Sequence, residues 1–441
     1  MFSVAECARI LDARILRGEE ARPARVIHDS RAVEPEDLFV ALKGTRTDGH
    51  AHLEEAFSRG AGGAIVSDIS SIPGNARNLI LVDDTREALI RLAAAWREKL
   101  SASFIGITGT CGKTTTKMLL GHLLSAGHEV FVAPRSYNTE VGVPIALLSM
   151  PQSAKFGVFE LGASAPGEIA PLARLIRPEI AILTMVGRGH LAGFESVEEV
   201  VREKWSLVEG LPKGGTAIVN LDSTPLAQRA NAWEGQSITV GTRGGDLQGK
   251  IVSVFPRLLI ETDRLRLETQ LLGVHNAGNI LTAVACALHL GVSGEIIEEQ
   301  IRTFLPPPHR LNLIPASFGY ILDDTYNANP DSTAAALRTL AEFPGKRKAF
   351  VFGEMLELGR NSIRYHREII DLALSLGIFP IYPVGEIPIA VAGERKSKKI
   401  CIVTRESLPE RIESDLVSGG NILLVKGSHA LRLDRLVDRL K

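Results

Sequence analysis

The chain has 441 residues, a length that suggests roughly three domains. Lys plus Arg number 50 and Asp plus Glu 51, giving a formal charge of −1. That balance removes the electrostatic footprint of a general nucleic-acid binder, although it leaves room for a local anion pocket. An apolar fraction of 45% and a charged fraction of 23% suit a globular protein with several full cores. The four cysteines (Cys7, Cys111, Cys286, Cys401) lie far apart without a CxxC pair, and read as reduced thiols rather than a disulfide framework or a zinc site. Residues 1–16 carry acids where a signal peptide needs its apolar stretch. No run approaches the ~18 apolar residues of a bilayer span. The expectation is a cytoplasmic protein with no membrane segment and no nucleic-acid partner.

In chain order, residues 26–42 read as short strands with turns, and 52–66 as a helix leading into a strand. Residues 78–100 read as a strand, an Asp-Thr cap and an amphipathic helix. A first boundary falls there, giving a mixed α/β domain over 1–101. From 104 onward, short apolar runs (FIGITG, FGVFELG, IAILTMVG, TAIVNLD) alternate with helical segments (113–127, 166–176, 196–211), which argues for a parallel α/β sheet. Residues 237–271, from ITVGTR to LRLETQLLG, read as appended antiparallel strands, followed by a helix over 275–291. Pro306, Pro307 and Pro308 cannot share a helix interior and close a central domain over 102–308. The alternation then resumes (GYILDDTY, KRKAFVFG, IFPIYPVG, NILLVKG), marking a second α/β domain over 309–441.

The sharpest local signal is Gly106-Ile-Thr-Gly109-Thr110-Cys111-Gly112-Lys113-Thr114-Thr115. An apolar strand runs into a glycine turn, and Lys-Thr opens a helix. Glycines let backbone N–H groups converge on a phosphate while the helix offers its positive end. Lys113 would reach the β- and γ-phosphates of a nucleotide, and the Thr114 hydroxyl would ligate Mg²⁺. Five residues rather than four separate Gly106 from Gly112, so the spacing departs from the ordinary P-loop. Such a site needs further hard ligands at neighbouring strand ends. Glu160 ends the run FGVF, and His190 follows IAILTMVG. Each taken alone reads as a strand-end charge or a loop histidine. Their shared placement beyond parallel strands, beside a phosphate loop, singles them out.

These residues, in this order, resemble the Mur ligase family, which builds the peptide of the bacterial cell wall. Asp29-Ser30-Arg31, residues 37–44 and Asp48-Gly49-His50 are similar to the family's uridine-nucleotide domain. GITGTCGKTTTK is similar to its ATP loop, which has the same unusual spacing. NTEVGVP (138–144), FELGASAPGEI (159–169), GHL (189–191), GVHNAGN (273–279) and HRL (309–311) follow in family order. Three further segments, residues 323–330 (DDTYNANP), 353–359 (GEMLELG) and 425–430 (VKGSHA), resemble the branch that adds D-alanyl-D-alanine. The DNPR-type motif of the diaminopimelate-adding branch is not found in the sequence.

The resemblance implies a mixed α/β N-terminal substrate domain, a central P-loop-type parallel-sheet ATPase domain, and a Rossmann-like C-terminal domain that closes over the site. It implies a monomer. It also implies a reaction: the terminal carboxylate of UDP-N-acetylmuramoyl-tripeptide takes the γ-phosphoryl of ATP, and D-alanyl-D-alanine attacks the acyl phosphate. Carried over residue by residue, Gly109, Thr110, Gly112, Lys113, Thr114 and Thr115 cradle ATP. Thr114 and Glu160 hold one Mg²⁺, and His190 helps hold a second. Asn276 and Asn279 lie by the adenine and phosphates, Arg310 approaches the γ-phosphate, and Asp324 takes the ribose. Tyr326, Asn329 and Lys426 line the C-terminal side of the cleft. Ser30, Arg31, Lys43, Asp48, His50 and Asn138 fall in the substrate-binding motifs. Lys204 reads as a solvated helix lysine from the sequence alone, but matches the family lysine that CO₂ converts to a carbamate beside the metal. Glu354, His429, Met185 and Gly189 depart from the usual residues (Asp, Arg, Asn and Ala), and Cys111 has no role in the pattern. Two alternatives stand beside this reading. One is another Mur-type or folylpolyglutamate-type ligase, against which the uridine-type motifs and YNANP argue. The other is a regulatory P-loop ATPase, which would need neither Glu160, His190 and Lys204 nor the C-terminal motifs.

Overall fold

The computed structural model describes residues 1–18, 21–44, 47–134, 137–189, 191–417 and 419–441. By packing, the chain divides into two compact units. The first comprises Met1–Gly106, His128–Gly162 and Glu168–Glu179; the second comprises Ile107–Gly127, Ala163–Gly167 and Ile180–Lys441.

The first unit opens with α1 (Val4–Leu11), which the sequence reading did not anticipate. Ser3 and Glu6 form a reciprocal capping box at its start, satisfying two N–H groups that the first turn would leave open. Then follow β1 (Arg14–Arg17), β2 (Val26–Ile27), β3 (Leu38–Val40), α2 (Leu53–Ser58), β4 (Gly63–Val66), β5 (Leu79–Leu81) and α3 (Thr85–Arg97). The sheet order is β1-β5-β4-β3-β2, antiparallel at β1–β5 and parallel elsewhere. Ile27, Phe39, Leu53, Phe57, Val66 and Leu79 form a core on one face. Asp84 caps α3 by accepting the N–H groups of Arg86 and Glu87, as the Asp-Thr signal predicts.

The middle of the chain runs β6 (Ser103–Thr108), α4 (Lys113–Leu124), β7 (Val130–Val132), α5 (Gly142–Ser149), β8 (Phe156–Glu160), α6 (Ile169–Ile176) and β9 (Ile180–Leu183). In the first unit β7 and β8 pair in parallel, and Ser103 N–H donates to the Lys155 carbonyl at 3.0 Å to start β6 beside β8. In the second unit Thr184 N–H reaches the Thr108 carbonyl at 3.0 Å, placing the end of β6 beside the end of β9. Next come α7 (Val197–Glu209), β10 (Thr216–Asn220), α8 (Thr224–Asn231), β11 (Ser237–Gly241) and β12 (Leu247–Gln248), and β9 through β12 form a parallel ladder.

This corrects the reading of ITVGTR as antiparallel. Strand β11 follows the short helix α8, and a strand–helix–strand crossover returns parallel to its predecessor. The remaining strands of that segment, β13 (Lys250–Ser253), β14 (Leu258–Glu261) and β15 (Arg266–Thr269), are antiparallel as expected. Helix α9 (Asn276–His289) is buried along nearly its whole length and packs on α4. Helix α10 (Gly294–Thr303) follows.

Past the prolines, β16 (Asn312–Ala316) and β17 (Gly319–Asp324) form a hairpin. Then come α11 (Pro330–Glu342), β18 (Lys348–Gly353), α12 (Ser362–Ser375), β19 (Ile381–Val384), α13 (Glu386–Gly393), α14 (Leu408–Asp415), β20 (Asn421–Lys426) and α15 (Asp434–Leu440). The sheet order is β16-β17-β20-β18-β19, parallel from β17 onward. Alternate strand residues feed opposite cores. Leu322, Phe350, Phe352 and Leu424 meet α11 and α12, whereas Ile321, Val351, Leu423 and Val425 meet α14 and α15. This is the doubly wound arrangement, with polar loops gathered at the carboxyl ends of the strands. Among the described residues no helix is long and apolar enough to cross a membrane.

Candidate active site

The loop between β6 and α4 is shaped by two glycines that no other residue could replace without strain. Gly109 has φ +150° and Gly112 φ +87°. A Cβ on Gly112 would stand 2.1 Å from Asn279 Oδ1, and one on Gly109 2.2 Å from Thr184 Oγ1. The glycines thus supply both the turn and the close approach of neighbouring side chains. Thr110 N–H donates to the Met185 carbonyl at 2.7 Å, and Thr184 Oγ1 donates to the Cys111 carbonyl at 2.6 Å. Behind this segment, Asn220 Nδ2 donates to Thr184 O at 2.8 Å and Ser223 Oγ to Val186 O at 3.1 Å. The sequence reading missed Thr184, Asn220 and Ser223; their only signal is a polar residue closing an apolar run, in IAILT for Thr184 and in TAIVNLDS for the other two.

Helix α4 starts at Lys113 with no side chain capping it among the described residues, and its positive end suits an anion. Lys113 Nζ folds back onto the Gly109 carbonyl at 2.8 Å. Thr114 and Thr115 are buried in the first turn. Arg310 Nη2 donates to Thr114 Oγ1 at 3.2 Å, its guanidinium lies 3.9 Å from the Tyr326 ring centroid, and its buried Nε has no partner among the described residues. A buried guanidinium N–H beside a helix N-terminus is a donor set suited to phosphate oxygens. Asn279 Nδ2 donates to Asn276 Oδ1 at 2.8 Å, and Asn276 Nδ2 to the Leu272 carbonyl at 2.7 Å, so both amides at the head of α9 are fixed.

The strand ends of the last sheet add side chains to the same unit. Lys426 Nζ pairs with Asp324 Oδ2 at 2.5 Å and donates to the Asn327 carbonyl at 2.9 Å, with both members of the pair buried. Asn329 caps α11 by accepting the Ser332 N–H at 2.8 Å, while its Nδ2 lies 3.2 Å from Cys111 Sγ. Cys111 therefore abuts the C-terminal segment, a contact its sequence position did not suggest. Arg188, also missed by sequence, donates from Nε to Asp331 at 2.9 Å and from Nη1 to Glu368 at 2.9 Å.

Lys204 is fully buried on α7, not solvated as its sequence context suggested, and its Nζ donates to the Ala163 carbonyl at 3.2 Å. Its neighbour Glu203 accepts the Gly167 N–H at 2.6 Å, tying α7 to the same turn. Glu160 in the first unit is likewise buried, and Asn138 Nδ2 donates to its Oε1 at 3.0 Å. Within its own unit Glu160 is a buried, oriented carboxylate, the class of hard oxygen donor that Mg²⁺ takes. His190 lies outside the described residues.

In the first unit His50 is buried. Its Nε2 accepts the N–H groups of Ser67 at 2.9 Å and Asp68 at 3.2 Å, so the proton sits on Nδ1, 2.6 Å from Asp48 Oδ1. Lys43 bridges Asp48 through the main chain, and Ser30 Oγ donates to Glu55 at 2.7 Å. Arg31 is 81% exposed, with its guanidinium on Asp29. A cavity of about 470 Å³ opens between His50 and Glu54 on one side and residues 71–75 on the other.

Three family descriptions match the chain: "Mur ligase family, catalytic domain" over 24–97, "Mur ligase middle domain" over 107–287, and "Mur ligase, glutamate ligase domain" over 309–429. A UDP-N-acetylmuramoyl-tripeptide–D-alanyl-D-alanine ligase from Synechocystis sp. is 32% identical, over 96% of this chain and 93% of its own length. The crystal structure of MurF from Acinetobacter baumannii superposes with a TM-score of 0.87 at 31% identity, covering 98% of this chain and 97% of the other. The chain belongs to the Mur ligase family, in its MurF branch. A MurF ligase from Thermotoga maritima, crystallised in complex with ADP, gives a TM-score of 0.83 at 28% identity, covering 94% of this chain and 96% of the other.

Against the Mur ligase pattern, the departures now have physical settings. Met185 meets the loop after β6 through its main-chain carbonyl, a contact that does not depend on the side chain. A Cβ at Gly189 would crowd Thr110 Cβ at 3.2 Å and Asn329 Nδ2 at 3.3 Å, so glycine gives the Asn329 amide room. Glu354 reaches the start of α13, with Ile387 N–H 3.4 Å from its Oε2. The His429 ring packs 5.9 Å from that of Tyr326.

Proposed function

We propose that this chain is an ATP-dependent ligase that joins D-alanyl-D-alanine to UDP-N-acetylmuramoyl-tripeptide through an acyl phosphate, in peptidoglycan precursor synthesis. The observation that carries this is the loop at the head of α4, with Lys113 and the Arg310 guanidinium with its buried Nε beside it, in a chain that matches a ligase of that name over 96% of its length. A carboxylate is a poor acyl donor because oxide leaves badly. Transfer of the γ-phosphoryl group to it, with loss of ADP, creates a leaving group that the dipeptide amine displaces as phosphate. Two anions must meet in the first step. Lys113, Arg310 and the N–H groups of α4 lower that repulsion and stabilise the charge that spreads over the transferring group.

The finer assignments belong to the same reading. Gly109, Thr110, Gly112, Thr115, Asn276, Asn279, Asp324, Tyr326 and Asn329 surround ATP. Ser30, Arg31, Lys43, Asp48, His50, Asn138 and Lys426 serve the UDP-linked peptide. Thr114 and Glu160 would hold one Mg²⁺ and His190 would help hold a second, and the bound ions would supply positive charge against the repulsion between phosphates and carboxylate. Lys204 carries a CO₂-derived carbamate. Its burial supports this, because an N-carboxylate ends in hard oxygens suited to a dication whereas an ammonium repels one. The domains divide at 1–101, 102–308 and 309–441, and the enzyme works as a cytoplasmic monomer without membrane or nucleic-acid partners.

Phosphate release from ATP, measured with UDP-N-acetylmuramoyl-tripeptide in the presence and absence of D-alanyl-D-alanine, tests the proposal. Release should need both substrates, and mass spectrometry should show the pentapeptide. Release that needs neither would favour a regulatory ATPase instead.

A further inference from the structure

The loop that follows β18 is held from behind by a histidine to which the reaction above gives no part. His366 on α12 is 0% exposed. Its Nε2 accepts the Met355 N–H at 2.9 Å, and its Nδ1 lies 2.8 Å from the Ser362 carbonyl, to which it can only donate. The ring is therefore neutral, with its proton on Nδ1, and it packs 5.4 Å from the Phe352 ring. The same loop is tied on its other side to the end of β20: Leu356 N–H donates to Ser428 Oγ at 2.9 Å, and Ser428 N–H to the Glu354 carbonyl at 3.1 Å. The two loops touch backbone to backbone, since a Cβ on Gly353 would lie 2.8 Å from Gly427 Cα. Past Met355 the chain forms Leu358–Asn361 which, with residues 191–197 and Tyr365, line a cavity of about 680 Å³.

We propose that His366 is a positioning residue, whose neutral Nδ1–H tautomer fixes the 353–361 loop and with it both the cavity wall and the strand end carrying Lys426. An imidazolium has no acceptor, so protonation would set a ring N–H against the Met355 N–H and release the loop. Burial pushes the ring below its ordinary pKa, while the Ser362 carbonyl and the nearby charge of Glu354 pull the other way. Because the folded-state value is depressed, the hold is complete above the ordinary histidine value and is lost only as pH falls through the lower one.

The test has one part that is independent of the ligase reading. Ring nitrogen resonances at pH 7 should show a bare Nε2 and a protonated Nδ1, unchanged as pH passes through 6.5, with a protected Met355 amide. A ring protonated on Nε2, or one titrating at its ordinary value, would overturn the proposal whatever the chain catalyses. The second part reads activity and does rest on the ligase reading. His366→Leu fills the site without an acceptor and should lose roughly tenfold or more in turnover. His366→Gln can place Oε1 where Nε2 was, and should stay within about threefold of the parent. Should the leucine variant fail to fold, Ser428→Ala removes the Oγ that accepts the Leu356 N–H, one of the loop's two ties to β20, and should lower turnover several-fold; an unchanged rate would overturn the role given to the loop. A folded leucine variant as active as the parent, or a glutamine variant as impaired as the leucine one, would show that the acceptor does not matter.

Discussion

The loop after β6 and the loops after β18 and β20 both lie at the carboxyl ends of strands, but they are built from different materials. The first is made of backbone: two glycines at positive φ, a helix end with no side-chain cap among the described residues, and carbonyls met by Thr110 and Thr184. The second is made of side chains, two of them joined across long stretches of sequence, Lys426 on Asp324 and Ser428 on Leu356, and a third, His366, reaching back 11 residues to Met355. A backbone site recognises any phosphate, because N–H groups and a helix dipole read charge and shape only. A side-chain site can differ in a single member, and it is there that one Mur ligase branch can be told from another.

The largest expected effect breaks the backbone-built region at its one charged side chain. Lys113→Ala should abolish turnover while circular dichroism stays unchanged, because the proposed function puts Lys113 on the phosphates and its hydrogen bond here is to the Gly109 carbonyl of its own loop. A variant keeping even about a tenth of the parent rate would remove Lys113 from the transition state.

Next in size is Lys204. Lys204→Ala should lose most activity, and acetate should restore part of it by filling the space with a carboxylate. Lys204→Arg should stay inactive, since a guanidinium cannot form a carbamate. Because the residue is fully buried, thermal melting must accompany the assay. A folded arginine variant as active as the parent would reduce Lys204 to a packing residue.

The two kinds of region were legible to different degrees. Glycine spacing and GKT announced the phosphate loop, because backbone geometry is written in local residue type. The parallel strands were legible from their apolar runs, but the direction of β11 was not, since it depends on the short helix α8 preceding it. Helix α1 was too short to show periodicity, although its capping box lay in the sequence. The burial of Lys204 was invisible, because a lysine among glutamates on a helix looks solvated until the turn at Ala163 is placed over it. Arg188 acts through Asp331, 143 residues on, a relation that spacing cannot carry, and His366 acts on a main-chain N–H 11 residues back, which no residue type announces.

Lys426→Met probes the side-chain region through stability. Removing the ammonium leaves the Asp324 carboxylate buried without its ion partner, a change that typically costs about 3–5 kcal/mol. Urea unfolding at neutral pH should show most of this loss, and Lys426→Met with Asp324→Leu should recover part of it. Equal stability of parent and single variant would mean that the carboxylate finds other donors, and the region would be less interlocked than its hydrogen bonds suggest.

The smallest effect comes from the same kind of ion pair moved to the surface. Arg31 holds Asp29 with two hydrogen bonds, Nε to Oδ1 at 2.9 Å and Nη2 to Oδ2 at 2.7 Å, yet its side chain is 81% exposed. Those bonds draw the Asp29 carboxyl down to about 2 from its ordinary value of 3.8. A depressed carboxylate lends stability above its ordinary value and loses it as pH falls toward 2. Water and salt screen an exposed pair, so Arg31→Ala should leave the neutral-pH melting temperature almost unchanged. What should move is the titration: the Asp29 carboxyl midpoint, followed by NMR, should rise toward 3.8 in the variant. A midpoint that stays near 2 would mean that the backbone N–H of Arg31, and not its guanidinium, holds the charge. A large drop in melting temperature would mean that exposure is a poor guide here, and would erase the contrast with the buried pair of Lys426 and Asp324.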